Sequence, residues 1–145
     1  MSKASILAFA GALLATPAFA ASHASGDAAE GEKEFRKCQS CHVVKDDAGE
    51  TLAGKGTSGP NLYALPGRIA GTVEGFRYKD SIVGAGEKGL VWNEEEFVKY
   101  LQDPTGYLRE YLGDSKARSG MAFKLRDEAD AANIWAYLVS LSPEN

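Results

Sequence analysis

The chain has 145 residues, enough for one domain with a modest core. Acidic side chains outnumber basic ones by 20 to 16, for a formal net charge of −4. That balance argues against nucleic-acid binding, which calls for a basic excess on one face.

Residues 1–20 read as a cleaved secretory signal peptide. Lys3 gives a positive start, residues 6–15 are apolar, Thr16 and Pro17 break the run, and Ala18-Phe19-Ala20 has the small-x-small pattern of a cleavage site. The apolar run is about half of the roughly 20 residues that a spanning helix needs. Ser22-His23-Ala24 offers a second small-x-small site, so cleavage follows Ala20 or Ala24. Loss of Lys3 takes the net charge from −4 to −5. Residues 21–26 are expected to form a flexible tail and 27–145 a single domain. No later stretch suits membrane insertion, which makes the expected product soluble, exported and periplasmic.

Four helices are predicted. Asp27 and Glu30 have capping-box spacing, and the first helix should run to about Cys38 with Ala28, Phe35 and Cys38 inward. Between it and Asn93 lies a stretch that holds ten of the sixteen glycines and shows no sustained period. So long an irregular segment is unusual in a small domain. Disorder fits poorly with Leu62, Tyr63, Ile69, Phe76, Tyr78, Ile82 and Trp92. Either helices there escape the pattern, or the segment wraps a large, flat, apolar cofactor. Asn93 and Glu96 repeat the capping spacing, with Phe97, Tyr100 and Leu101 following at helical intervals. Asp103-Pro104 opens a third helix with proline at its first position and Gly113 at its end. Asp127 opens the last, lined by Ala131, Ile134, Trp135, Leu138 and Leu141 and stopped by Pro143.

Both cysteines lie in Cys38-Gln39-Ser40-Cys41-His42. A thiol-disulfide oxidoreductase would place such a pair on a βαβ frame, and no apolar strand run precedes this one. Zinc in a structural site takes four protein ligands, and Cys38, Cys41 and His42 supply three. Cys-x-x-Cys-His is the attachment signature of c-type haem. The spacing puts both sulfurs on one side of the backbone for thioether bonds to the vinyl groups and aims His42 at the iron. The second axial position is open to Met121, the one methionine left after signal removal, or to His23 in the tail. Met121 sits in Ser119-Gly120-Met121-Ala122-Phe123, away from any periodic apolar face, and Met/His ligation is that of the cytochromes c. With both positions filled by protein, the group exchanges electrons only, and the chain is a carrier rather than an enzyme. The rival functions are a thiol-disulfide oxidoreductase and a haem enzyme or gas sensor with an open sixth position.

The motifs "CQSCH", "TSGPNLY" (57–63), "GFRY" (75–78), "LVWNEEEFVKYLQDP" (90–104), "SGMAFKL" (119–125) and "NIWAYL" (133–138) occur in one order. With them the chain resembles the small class I cytochromes c, and most of all the cytochrome c2 type of photosynthetic and related purple bacteria. The resemblance spans residues 27–141 and implies an all-α fold of four or so helices. In it the first and last helices cross, Phe35 meets Ile134 and Tyr137, and long loops wrap one covalently bound haem c. It also implies that the Pro60 carbonyl holds the His42 ring N–H, that Tyr78 and Trp92 bond a haem propionate with Arg68 nearby, that Tyr100 is buried near the methionine sulfur, and that Phe123 lies at the haem edge. Ile82 stands where mitochondrial relatives carry an asparagine, so that hydrogen bond to the inner propionate is expected to be absent. Residues 84–89 are expected to form an extra glycine-rich loop. The implied partners of the monomer are a cytochrome bc1 complex as donor and a photosynthetic reaction centre, a terminal oxidase, or both as acceptor.

Charge is unevenly placed. Residues 116–126 include Lys116, Arg118, Lys124 and Arg126 and no acid, while Arg36, Lys37 and Lys45 flank the other ligand. Acids gather at 94–96 and 127–130. A basic ring of Lys37, Lys45, Lys116, Arg118 and Lys124 around the haem edge would steer it onto acidic partner sites.

Overall fold

Capping chemistry sets where the helices begin. The computed structural model describes residues 24–143. The expected signal peptide, residues 21–23 of the expected tail with His23, and residues 144–145 lie outside them. Helix α1 (Ala28–Glu34) starts at Asp27, whose carboxylate accepts the N–H groups of Ala29 and Glu30 at 2.8 and 3.0 Å. It tightens into a 3-10 turn (Phe35–Lys37), with Cys38 N–H on the Phe35 carbonyl at 2.8 Å. The expected helix to Cys38 is therefore a shorter α-helix with a tighter last turn. Two short strands follow, β1 (Val43–Lys45) and β2 (Thr51–Gly54), paired antiparallel with Val43 opposite Gly54 and Val44 opposite Ala53.

The remaining helices are α2 (Asp80–Glu87), α3 (Glu94–Gln102), α4 (Pro104–Leu112) and α5 (Glu128–Ser140). Asn93 caps α3 through Glu96 N–H, and Asp103 caps α4 through Gly106 N–H. Gly113 ends α4 in the left-handed conformation (φ 66°) that glycine adopts without penalty. Asp127 caps α5, which buries Ala131, Ile134, Trp135 and Leu138 along one face.

The first and last helices cross in close contact. A Cβ on Gly31 would lie 1.9 Å from the Asn133 carbonyl oxygen, so the backbones touch there. Phe35 packs on Tyr137 with ring centroids 5.6 Å apart, and Ile134 joins the same core. Burial of Phe35 is worth about 1.5–3 kcal/mol.

The chain is helical as expected, with five α-helices, one more than the four read from their caps, and a small sheet besides. One expectation needs correction. Residues 84–87, expected in a glycine-rich loop, form the second half of α2. A Cβ on Gly86 would meet the Ala70 carbonyl oxygen at 2.0 Å, so this glycine lets the helix lie on the turn at 70–71. Residues 24–26 of the expected tail touch the domain. Ser25 bonds the Glu94 carboxylate through its N–H and hydroxyl, and Asp27 N–H donates to Asn133 Oδ1 at 2.8 Å.

Candidate haem site

His42 follows the turn at 38–41 that carries both cysteines and directly precedes β1. Its Nδ1 lies 2.9 Å from the Pro60 carbonyl oxygen. A carbonyl only accepts, so Nδ1 carries the proton and the neutral ring leaves the lone pair on Nε2. Burial lowers the His42 pKa, with the Pro60 hydrogen bond opposing it. Gly59 lies against the ring, and a Cβ there would sit 2.4 Å from Cε1 and 2.6 Å from Nδ1. The loop behind is equally close, since a Cβ on Gly56 would meet the Cys41 backbone at 2.3 Å. The 54–60 segment is thus a cradle for the Cys-x-x-Cys-His loop.

Cys38 and Cys41 form no disulfide. Cys38 is buried, which pushes its pKa up to about 11. Cys41 is exposed, and hydrogen bonds from Ser58 and Ser40 pull its pKa down. The first thiol of an oxidoreductase motif is the accessible nucleophile, and here it is the shielded one. Among the described residues, no three Cys, His, Asp or Glu side chains converge as metal donors, which fits zinc poorly. Two cysteines outside any disulfide, followed by an imidazole with its lone pair on Nε2, fit a covalently held haem.

Met121 is held in its loop by Ser119, whose Oγ accepts the Met121 N–H at 3.0 Å and bonds the Tyr100 hydroxyl at 2.8 Å. Ser119 N–H donates to Thr105 Oγ1 at 3.2 Å, and Arg118 N–H to Ser81 Oγ at 3.0 Å. The loop is thereby pinned to α2, α3 and α4. Burial raises the Tyr100 pKa and keeps the hydroxyl protonated. Trp92 is buried edge-on to Tyr100, with ring centroids 5.1 Å apart. Leu62, Tyr63, Tyr78, Tyr100 and Met121 pack on the core while only half-buried, as side chains shared with a bound apolar group would be. Tyr78 sits edge-on to Phe76, and burial raises its pKa. Arg68 points its guanidinium at backbone, to the Tyr63 carbonyl at 2.9 Å and the Asn61 carbonyl at 3.1 Å. Ile82 is buried in the core.

The five basic residues of the expected ring, Lys37, Lys45, Lys116, Arg118 and Lys124, are all exposed, as is Phe123. Two are engaged. Lys37 pairs with Glu34 and, at 3.3 Å, with Asp130, and Lys124 pairs with Asp103 at 2.9 Å. Sequence reading passed over Gly59, Asn61, Ser119, Thr105 and Ser81. Gly59 and Asn61 stand inside the "TSGPNLY" motif and Ser119 inside "SGMAFKL", while Thr105 and Ser81 carry no pattern that marks them.

Comparison with known proteins places this site in a family. The chain is 69% identical over 118 residues to cytochrome c2 of Rhodovulum adriaticum, covering 81% of this chain and 94% of that protein. The chain belongs to the cytochrome c2 family. It is 54% identical over 132 residues to cytochrome c2 of Cereibacter sphaeroides, covering 88% and 91% of the two chains. The crystal structure of cytochrome c2 from Rhodobacter sphaeroides matches with a TM-score of 0.79 at 54% identity, over 81% of this chain and 97% of that one. No protein-family model matches the chain. The fold is that of the class I cytochromes c. Cytochrome c2 is an electron carrier rather than an enzyme, and it holds a covalently attached haem c.

Proposed function

We propose that this cytochrome c2 is a periplasmic one-electron carrier with His/Met-ligated iron. Cys38 and Cys41 would hold the haem through thioethers, and His42 and Met121 would be its axial ligands. The haem, when bound, supplies a one-electron ferric/ferrous couple, which a thioether ligand biases toward the ferrous state. The chain's own residues supply orientation. The observation that carries the reading is the His42 ring, fixed by the Pro60 carbonyl on Nδ1 and by close approach of Gly59, which leaves the ligating lone pair on Nε2. Such an outer hydrogen bond sets the tautomer and raises the basicity of the ligating nitrogen. Ser119 fixes the backbone of Met121, and Tyr100 fixes Ser119. Trp92, Tyr78 and Arg68 would close the pocket around the propionates, with Arg68 acting through the 61–63 backbone that it holds.

The single domain of residues 27–145 would follow a leader of residues 1–20. Among the described residues, no helix is long and apolar enough to cross a membrane, which agrees with export in free form. The donor would be a cytochrome bc1 complex and the acceptor a photosynthetic reaction centre, a terminal oxidase, or both, met by a monomer through its basic, exposed ligand loops.

The visible spectrum of the purified protein tests the ligation. It should show low-spin c-type bands and the weak far-red band of methionine bound to ferric iron. Met121→Ala should abolish that band and lower the reduction potential. Persistence of the band in the variant would remove Met121 from the ligand set.

A further inference from the structure

Residues 60–63 run beside β1 like a third strand, and one side chain stands at the centre of the pairing. Asn61 Oδ1 accepts the backbone N–H of Lys45 and of Tyr63, each at 3.0 Å. Its Nδ2 donates to the Lys45 carbonyl at 2.7 Å. One amide therefore satisfies both backbone groups of Lys45, as a neighbouring strand would. Beside it, Leu62 N–H donates to the Val43 carbonyl at 2.9 Å. Arg68 grips the same segment from the other side, at the carbonyls of Asn61 and Tyr63. Val43 follows His42 directly, with Lys45 two residues further along β1, and Asn61 follows Pro60 directly. The reach from the Pro60 carbonyl to His42 Nδ1 is thus set by a short ladder, and two of its rungs belong to Asn61.

We infer that Asn61 is a positioning residue for His42, holding the 60–63 segment on β1 so that the Pro60 carbonyl stays on the His42 Nδ1–H. The inference rests on His42 being an iron ligand. A ring N–H held by a carbonyl makes the opposite nitrogen a stronger donor. A stronger donor favours ferric iron and lowers the reduction potential. Loss of the Asn61 rungs withdraws the carbonyl, so the potential rises. General loosening acts with the opposite sign, because water admitted to an apolar shell favours the more highly charged ferric state. The sign of the shift therefore separates positioning from plain structural support.

Two variants of the holoprotein test this. Asn61→Ala removes all three side-chain contacts. Asn61→Ser can keep the local turn contact to Tyr63 N–H, which a hydroxyl makes more weakly, but is too short for Lys45. In the ferrous protein, exchange of the His42 Nδ1 proton with solvent, read by NMR, should quicken about tenfold in both. The reduction potential should rise in both. If Asn61→Ala does not assemble, Asn61→Ser decides alone. A fall in potential, or exchange and potential both unchanged in Asn61→Ser, overturns the inference. The unaltered ferric protein tests the ligation separately. His42 ring protons without large paramagnetic shifts would overturn that reading, and the inference with it. Shifted ring protons together with unchanged variants would overturn only the role of Asn61.

Discussion

At the scale of the residue, the site depends on what Gly59 lacks. The His42 ring occupies the space that a Cβ at 59 would need, 2.4 Å from Cε1. Neither party can yield easily, since the ring is tied to the Pro60 carbonyl and Gly59 N–H is tied to the Cys41 carbonyl at 2.8 Å. Gly59→Ala should therefore turn the imidazole off the Pro60 carbonyl and destabilise the holoprotein by about 1–3 kcal/mol, the usual cost of overpacking. Denaturant unfolding checks the second effect, and the His42 ring resonances check the first. An alanine variant with unchanged stability and unchanged ring resonances would mean that the cradle is looser than its contacts imply. The Ser119 hydroxyl works differently, by bonding rather than by absence. It gathers the Met121 N–H and the Tyr100 hydroxyl onto one oxygen, so the backbone of the proposed sulfur ligand is set by a side chain two residues away.

At the scale of the element, the helices that were legible in the sequence are the ones with side-chain caps. Asp27, Asn93, Asp103 and Asp127 each accept an N–H of the first turn, and each stands before a recognisable apolar pattern. Helix α2 has neither mark. Lys79 at its N-cap position makes no side-chain cap, and the buried positions are Ile82, Ala85 and Gly86, only one of them a strongly apolar residue. Its support is tertiary, from α4, the 118–119 loop and the 70–71 turn, which local propensity does not encode. The strands β1 and β2 are three and four residues long, too short for an alternating pattern to register. Of the site, the proposed covalent and axial residues stand out in the sequence because their chemistry restricts residue type. The braces at Asn61 and Ser119 do not, because a hydrogen bond to backbone leaves no spacing in the sequence. The crossing of α1 and α5 gives the element-scale prediction. In an exposed helix, glycine to alanine gains about 1 kcal/mol. At Gly31 the added methyl meets the Asn133 carbonyl oxygen at 1.9 Å, so Gly31→Ala should instead cost roughly 1–3 kcal/mol. Denaturant unfolding of the holoprotein reads the sign directly, and a gain in stability would show that α1 and α5 separate at no cost.

At the scale of the whole molecule, the docking ring proposed for this acidic chain carries less free charge than its sequence suggests. Lys45, Lys116 and Arg118 make no ion pair among the described residues, while Lys37 and Lys124 are each held by acids. A charge paired in this way adds little to the long-range field that steers a partner, because the pair is nearly neutral at a distance. The Lys124–Asp103 pair can be opened without harm to the fold. Asp103 also caps α4 through Gly106 N–H, and asparagine caps a helix as well as aspartate does. Asp103→Asn should therefore keep α4 and its thermal stability while releasing Lys124. At low ionic strength, the second-order rate of electron transfer with a cytochrome bc1 complex should rise roughly two- to threefold in this variant, the scale of a single rim charge. The parent rate should fall as salt is added, and the two rates should converge near 1 M, where the screening length is about 3 Å. Stopped-flow measurements across a salt series decide the matter. A parent rate indifferent to salt would remove electrostatic steering altogether. A salt-dependent parent with an unchanged Asp103→Asn would place the docking face on Lys45, Lys116 and Arg118 and leave Lys124 outside it.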